Sequence, residues 1–265
     1  MRLPFYQVDA FTREAFGGNP AAVVRLRRWI DEQSLFAIAA ETNLPATAFV
    51  TGNGPEYQLR WMTAHGELQL CGHATLASGY VVLNNVEPQR DSVAFATCAG
   101  RLEVVRDERR LALDFPALPV QTERRPALVS DALGIAPQSL WEASGERGMA
   151  VLADAAHLRE LRPHSEAIAK LPFSALIVTA PGFAGDCDFV SRYFAPKHGI
   201  AEDFATGSAH CVLGPYWAGV LGKAQLFGRQ LSSRGGEFWV EDRGDRVRIG
   251  GECVPIAEGT LTLTG

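Results

Sequence analysis

The most constraining feature of this chain is an internal repeat. The triplet GHA at 72–74 has a counterpart, GSA, at 207–209, and each follows a strand-like segment in which an arginine precedes an aromatic residue. Further along, segments 99–113 and 235–249 both alternate apolar and polar residues around a charged turn, as β-hairpins do. The repeat predicts a mixed α/β (α+β) fold of two pseudo-symmetric lobes from an internal duplication, each a rolled, mostly antiparallel sheet around a buried helix.

The boundary between the two copies is expected within DFPALPVQTERRPAL, residues 114–128, where prolines and a charge cluster interrupt both periodicities. This gives an N-terminal lobe of residues 1–117 and a C-terminal lobe of residues 118–265. The last strand, about 253–265, is a candidate to return to the N-terminal lobe. Related lobes that face each other commonly bind small molecules in the cleft between them. We therefore expect both glycine turns to line such a cleft.

The composition argues against several classes of protein. With 47% hydrophobic residues in a length of 265, the chain has enough apolar side chains for one large or two medium cores. Its net charge of −5 without basic runs argues against nucleic-acid binding, and no apolar run approaches the length of a membrane span. Five scattered cysteines without a CxxC pair indicate reduced thiols. The sequence therefore predicts a cytoplasmic protein with a small-molecule substrate, no nucleic-acid partner and no membrane partner.

Each glycine turn precedes a run of small and apolar residues that predicts a buried helix. The N-terminus of such a helix presents unpaired N–H groups and the positive end of the helix dipole, and glycine lets a ligand approach the backbone closely. Gly72 and Gly207, with the hydroxyl groups of Thr206 and Ser208, are therefore candidates to bind a substrate carboxylate. The alternative is that both glycines only close tight turns between a strand and a helix.

No metal or cofactor is expected from the sequence. Cys71, His73, His210 and Cys211 lack the spacing and the supporting carboxylate of a metal site. A P-loop, a Rossmann fingerprint, and flavin or pyridoxal signatures are also missing, so side chains alone are expected to carry the chemistry. Cys71 is interpreted as a small buried hydrophobic residue, because no matched thiol stands in the second copy. His73 either lines the cleft or only caps its helix.

Several motifs occur together and in a fixed order. They are VDAFT and GNPAAVV near the start, AAETNLPATAFV at 39–50, ELQLCGHATLA at 67–77, EDFATGSAH at 202–210 and QLSSRGGEF at 230–238. Through these motifs the chain, from about Tyr6 to Gly251, resembles the PhzF-like family of phenazine-biosynthesis isomerases, which shares the diaminopimelate epimerase fold. The resemblance implies an isomerase of a biosynthetic process and a homodimer.

The resemblance also implies roles for single residues. The acid/base glutamate of the family corresponds to Glu41, and the other catalytic positions correspond to His73 and Asp203. The substrate-binding positions implied at the two glycine turns are Cys71, Gly72, Thr206, Gly207 and Ser208. One residue departs from the family pattern, since Phe204 stands where a proline usually follows the aspartate. This departure relaxes the backbone and leaves the direction of the Asp203 carboxylate open.

The local sequence agrees with the role implied for Glu41. Leu35, Ile38 and either Glu41 or Thr42 recur at helical spacing, so the helix is expected to direct the glutamate from its end toward the interior. The alternative is a solvent-exposed glutamate in the last helical turn. The leading hypothesis is a cofactor-independent isomerase that moves a proton within a small carboxylate-bearing metabolite, with Glu41 as acid/base. Two alternatives remain: a thiol-dependent racemase or epimerase that uses Cys71, and a non-catalytic metabolite-binding protein.

Overall fold

The structure, a computed structural model, describes residues 1–144 and 146–263 as a mixed α/β fold that is mostly β-sheet. Its contacts define two compact units, one formed by Met1–Asp114 with the segment from Gly250 onward, and the other by Phe115–Ile249. The elements that begin in the first unit are β1 (Arg2–Ala10), β2 (Asn19–Leu26), α1 (Glu32–Thr42), β3 (Ala46–Asn53), β4 (Glu56–Thr63), β5 (Gly66–Glu67), α2 (Gly72–Val81), β6 (Ser92–Thr97), β7 (Gly100–Asp107), β8 (Arg110–Pro116) and β17 (Cys253–Thr262). Those that begin in the second unit are β9 (Val120–Arg124), α3 (Ala127–Leu133), β10 (Ser139–Ala143), β11 (Arg147–Val151), α4 (Ala155–Glu160), α5 (Ser165–Ala169), β12 (Ala175–Pro181), β13 (Phe189–Phe194), α6 (His210–Leu221), β14 (Gln225–Gln230), β15 (Gly236–Asp242) and β16 (Arg246–Gly251).

The two units repeat one order of strand pairing. In the first unit β1 pairs antiparallel with β2, β2 parallel with β3, β3 antiparallel with β4, β4 parallel with β6, and β6 antiparallel with β7. In the second unit the consecutive strands β10 to β15 show the same succession of antiparallel and parallel pairs. The predicted duplication and the mostly antiparallel sheets are thereby confirmed. Strand β17 pairs antiparallel with β1 along its length.

Each unit buries one helix that begins at a glycine turn. Every residue of α2 except Tyr80 is buried, because small and apolar residues surround the whole helix. The buried hydroxyl groups of Thr75 and Ser78 donate within the helix, to the carbonyls of Cys71 at 2.6 Å and Ala74 at 2.7 Å. Helix α6 begins after a 3₁₀ turn, Gly207–Ala209, and buries most of its first two turns. Among the helices of the described ranges, none is both long and apolar enough to cross a membrane.

The strand register of the first unit brings several chain segments to one end of its sheet. The paired residues are Ala10 with Asn19, Ala21 with Ala46, and Thr47 with Met62. The ends of β1 and β4 therefore lie beside the starts of β2 and β3. The β1–β2 loop, the last turn of α1 and the connection from β4 to α2 all lie at this end, which we call the turn end.

The second unit has an equivalent turn end. Its paired residues are Arg147 with Ala175, Leu176 with Phe194, and Ser191 with Gln230. The starts of β11 and β12 therefore lie beside the ends of β13 and β14. The segment from β13 to α6, which carries Asp203 and the second glycine turn, begins at this end, and Gln230 lies there as the last residue of β14.

Candidate functional site

Glu41 lies in the last turn of α1, at the turn end of the first unit. The buried face of this helix is formed by Leu35, Ile38 and Ala39. Glu41 falls roughly a third of a turn away from that face and is exposed. The expectation that its carboxyl points toward the interior is therefore wrong. Thr42 takes the inward position instead, and its Oγ1 lies 2.7 Å from Oγ1 of Thr47 on β3.

The first glycine turn places a thiol beside an imidazole. Cys71, Gly72 and His73 are buried, and Cys71 is the N-cap residue of α2. The sulfur of Cys71 lies 3.6 Å from Nδ1 and 3.8 Å from Nε2 of His73. The turn therefore combines main-chain donors at the start of a buried helix with a titratable pair of side chains.

The second glycine turn is held by its own side chains. Thr206 Oγ1 donates to Oδ2 of Asp203 at 2.5 Å, so this hydroxyl is used within the turn. Ser208 is partly exposed, whereas Gly207 is buried in the 3₁₀ turn that leads into α6. Of the two hydroxyl groups predicted to bind a carboxylate, that of Thr206 thus positions the Asp203 carboxylate.

Phe204 stands where the family pattern has a proline, and it contributes a backbone donor that proline lacks. The backbone N–H of Phe204 donates to Oδ1 of Asp203 at 3.0 Å. Proline has no backbone N–H, so it would provide no donor at this point. Together with Thr206, Phe204 thus fixes both oxygens of the carboxylate whose direction the sequence leaves open.

Gln230 clamps the second turn from the neighbouring strand. It is 1% exposed, and its Oε1 accepts from the backbone N–H of Thr206 at 2.8 Å. Its Nε2 donates to the carbonyl of Asp203 at 2.7 Å and lies 3.2 Å from Oγ1 of Thr206. A single amide thus uses both of its functional groups to fix the backbone of the turn.

His210, the first residue of α6, contacts the backbone of the same turn. Its Nδ1 lies 2.9 Å from the carbonyl of Thr206, so the proton of the neutral ring is assigned to Nδ1 as the donor. The ring stacks on Phe238 at 3.7 Å between centroids. Burial lowers the pKa of His210 to about 4, so the ring is neutral near pH 7. Burial also raises the pKa of the adjacent Cys211 to about 12, which leaves this thiol protonated and unreactive.

Matched ion pairs anchor the loops that enter the two turns. In the first unit Arg60 donates to both oxygens of Glu67, at 2.8 and 2.6 Å. In the second, Arg192 donates to both oxygens of Glu202, at 2.7 and 2.8 Å. Each glutamate stands five positions before the glycine of its turn. Hydrogen bonding to Arg60 lowers the pKa of Glu67 and keeps it ionised. The arginine of each repeated strand therefore fixes the loop that follows.

The β1–β2 loop presents an aromatic side chain at the turn end of the first unit. Phe16 has a left-handed backbone, φ 68°, and is 74% exposed. Its N–H donates to the buried carboxylate of Asp9 at 2.8 Å. Gly18 lets the chain turn back closely against the end of β1, because a Cβ at this position would lie 2.2 Å from the carbonyl oxygen of Ala10. The loop between the VDAFT and GNP motifs thus holds Phe16 outward in an unfavourable backbone conformation.

Comparison with known proteins identifies the relationship of this chain. A family model described as phenazine biosynthesis-like protein, PhzC-PhzF, matches residues 8–259. The chain belongs to the PhzC-PhzF family. A Pseudomonas aeruginosa protein named as an uncharacterized isomerase is 42% identical over 264 residues, which span 100% of both chains. A crystal structure of a PhzF family protein from Enterococcus faecalis has a TM-score of 0.95 at 39% identity, covering 99% of this chain and 100% of that one.

A more distant structure shares only the fold. The hydroxyproline epimerase of Agrobacterium vitis has a TM-score of 0.63 at 9% identity, covering 98% of this chain and 92% of that chain. The predictions of a PhzF-like chain, of an epimerase-like fold and of an isomerase are thereby confirmed.

Within this PhzC-PhzF protein, the structure gathers the predicted residues by unit. Glu41, Cys71, Gly72 and His73 lie at the turn end of the first unit, and Asp203, Thr206, Gly207 and Ser208 form one turn of the second. The sequence reasoning did not identify Gln230, the two ion pairs or Phe16. Gln230 opens the QLSSRGGEF motif, the repeated arginines mark the ion pairs, and Phe16 lies between the VDAFT and GNPAAVV motifs. Within residues 1–144 and 146–263, no cluster of His, Cys, Asp and Glu is suited to hold a metal ion.

Proposed function

We propose that this protein is a cofactor-independent isomerase that moves a proton within a small carboxylate-bearing metabolite, with Glu41 as the acid/base. The observation that carries the proposal is the placement of Glu41 and the start of α2 at the same end of one sheet. A substrate held at the amides of Gly72 and His73 would have an accessible carboxylate nearby. The exposure of Glu41 suits a base that must reach an external substrate.

The proposed reaction needs one carboxyl group that acts twice. The Glu41 carboxylate takes a proton from a substrate C–H, and the resulting carboxylic acid returns that proton to another atom of the same molecule. This proton transfer requires no electron acceptor and no second substrate. Main-chain donors at the glycine turns are assigned to substrate binding. The oriented Asp203 carboxylate is assigned to the electrostatics of the site, and His73 is assigned as a further proton carrier. Cys71, Gly207 and Ser208 complete the proposed binding residues, whereas Thr206, whose N–H and hydroxyl are both used within the turn, acts by positioning Asp203.

Deuterium incorporation tests this function even while the substrate is unidentified. The protein is incubated in heavy water with a panel of amino, hydroxy, unsaturated and aromatic carboxylates, and mass spectrometry follows the gain of deuterium at carbon. We expect at least one compound to exchange, and Glu41→Gln to slow that exchange by about 10²- to 10⁴-fold. The control is Glu160→Gln, which alters another exposed glutamate in the last turn of a helix, α4. Equal exchange by wild type and Glu41→Gln would remove Glu41 from the mechanism.

A second candidate function is a thiol-dependent racemase or epimerase. It is favoured by the 3.6 Å contact between the Cys71 sulfur and His73, since a neighbouring imidazole can accept the thiol proton. The matched position of the second turn is Thr206, so no second thiol supports it there. In the same exchange assay, Glu41→Gln and Cys71→Ala together distinguish the two candidates, because the thiol mechanism requires exchange to survive in Glu41→Gln and to be lost in Cys71→Ala. The homodimer implied by the family stays a prediction that sedimentation tests.

A further inference from the structure

A second concave surface lies within the first unit and shares no lining residue with the candidate site. It is a groove of about 1240 Å³ between the start of β1, the ends of β2 and β3, and the β2–α1 connection. These segments are at the end of the sheet opposite Glu41, because α1 begins there and ends at the turn end. Four arginines line it: Arg2, Arg25, Arg27 and Arg28. We call it the arginine groove.

The arginine groove is positive in a chain whose net charge is −5. The carboxylate among its described lining residues, Asp31, is committed to α1 as the N-cap. It accepts from the N–H and the hydroxyl of Ser34, both at 2.8 Å, and these bonds lower its pKa. Arg27 and Arg28 are exposed and form no ion pair with any residue of the described ranges. Asp31 is therefore ionised and offsets one of the four arginine charges, so the groove keeps an excess of positive charge.

Arg25 gives the arginine groove a fixed inner wall. Its guanidinium lies over the ring of Tyr57, 5.1 Å from the centroid, and Nη2 lies 3.5 Å from the carbonyl of Gly52. Its Nη1 is buried and has no hydrogen-bond partner among the described residues. A buried guanidinium nitrogen without an acceptor costs free energy. Arg25 is thus held in place and is only partly satisfied.

We propose that the arginine groove binds a small phosphorylated molecule that carries two adjacent phosphate groups. Guanidinium groups match phosphate oxygens in planar, two-point hydrogen bonds, and several of them can share the charge of a diphosphate. An anion there supplies a counter-charge to the exposed guanidinium groups of Arg2, Arg27 and Arg28. The indole of Trp29 also lines the groove. Arg60 lies over one face of its ring, 5.7 Å from the centroid, so a base or ring attached to the phosphates would contact the other face.

Calorimetric titration and thermal unfolding test this proposal with pyrophosphate, ADP and citrate at constant ionic strength. We expect pyrophosphate and ADP to bind and to raise the melting temperature, as any ligand of the folded state does. Tighter binding of ADP than of pyrophosphate would identify a nucleotide that uses Trp29, and equal binding would identify recognition of the diphosphate alone. Citrate that bound as tightly as pyrophosphate would overturn the assignment to phosphate.

Surface variants locate the binding. Arg27→Gln and Arg28→Gln change exposed side chains, so the fold is preserved, and each should weaken pyrophosphate binding by about 10-fold or more. The control is Arg109→Gln, which removes the same charge from the exposed β7–β8 turn of the same unit. Absence of binding heat, or equal affinity in all three variants, would overturn the proposal. None of these variants alters a residue of the proposed isomerase site, so the two hypotheses fail independently.

Discussion

Gly79 of α2 lies directly against Val104 of β7, so that a Cβ added at Gly79 would be 2.5 Å from Cγ1 and 2.7 Å from Cβ of Val104. The second unit repeats this relationship, since a Cβ at Gly214 of α6 would be 2.9 Å from Cγ1 of Val240. In both units a glycine brings the buried helix close to its hairpin. The duplication therefore preserves a close helix-to-sheet contact in both units.

Replacing Gly79 by alanine should destabilise the protein by about 1–3 kcal/mol, because the methyl group meets the branched carbon of Val104 and cannot be relieved by a rotamer change. The matched control is Gly219→Ala in α6, where the added Cβ meets nothing within 4 Å. That change should stabilise by roughly 0.5–1 kcal/mol through helix propensity. Urea unfolding monitored by tryptophan fluorescence measures both values, and a neutral Gly79→Ala would contradict the close packing.

The repeated ion pairs allow a prediction with a built-in comparison. Arg192 is 9% exposed in its side chain and also donates to the carbonyl of Leu161 at 2.7 Å, whereas the side chain of Arg60 is 31% exposed. Arg192→Met should therefore cost about 3–5 kcal/mol, since it leaves a carboxylate and a buried carbonyl without a donor. Arg60→Met should cost less, about 1 kcal/mol, because water screens this partly exposed pair more than the Arg192 pair. Similar losses in urea unfolding would show that burial does not govern these pairs.

Gln230→Met should loosen the second glycine turn. The substitution keeps the length of the side chain but removes the acceptor of the Thr206 N–H and the donor to the Asp203 carbonyl. Each buried group left unpaired costs about 1–3 kcal/mol. Hydrogen exchange should show lower protection at the Thr206 amide. Ser232→Ala, which removes a bond to the carbonyl of Phe204, is the control and should leave the Thr206 amide protected. Unchanged protection in Gln230→Met would contradict the clamp.

His210 should make stability depend on pH in a defined window. Its pKa in the folded protein is about 4, below the ordinary value of 6.5, so the unfolded chain binds more protons between these values. The free energy of unfolding should therefore fall as pH decreases from about 6.5 to about 4, by about 3 kcal/mol from this residue.

His210→Asn tests that dependence, because the asparagine amide can still donate to the carbonyl of Thr206 but does not titrate. The variant should lose the slope in this window even if its overall stability is lower. Urea unfolding at several pH values measures the slope, and His198→Asn, at an exposed histidine, is the control. A slope that is the same in wild type and His210→Asn would refute the assignment.

The sequence predicts the duplicated fold because the repeat, the strand alternation and the small-residue helices are all local or periodic signals. It fails at Glu41, where two adjacent residues compete for one inward position. In the structure Thr42 takes that position, and its hydroxyl lies 2.7 Å from that of Thr47 on another element, a contact that residue types alone do not reveal. Gln230 was missed for a related reason, since its partner Thr206 is 24 positions away and meets it only through the pairing of β13 with β14.

The pairing of β1 with β17 also affects the order in which the chain can fold during synthesis. Arg2 pairs with Thr262 and Ala10 with Cys253. One edge of β1 therefore stays unpaired until almost the whole described chain has been synthesised. Residues 115–249, which form the second unit, leave the ribosome earlier and can complete their own contacts first. Until β17 arrives, β1 exposes unpaired backbone groups that can pair with other strands. A chain that stalls before residue 253 therefore carries an open strand edge, which makes it a substrate for chaperones or a seed for aggregation.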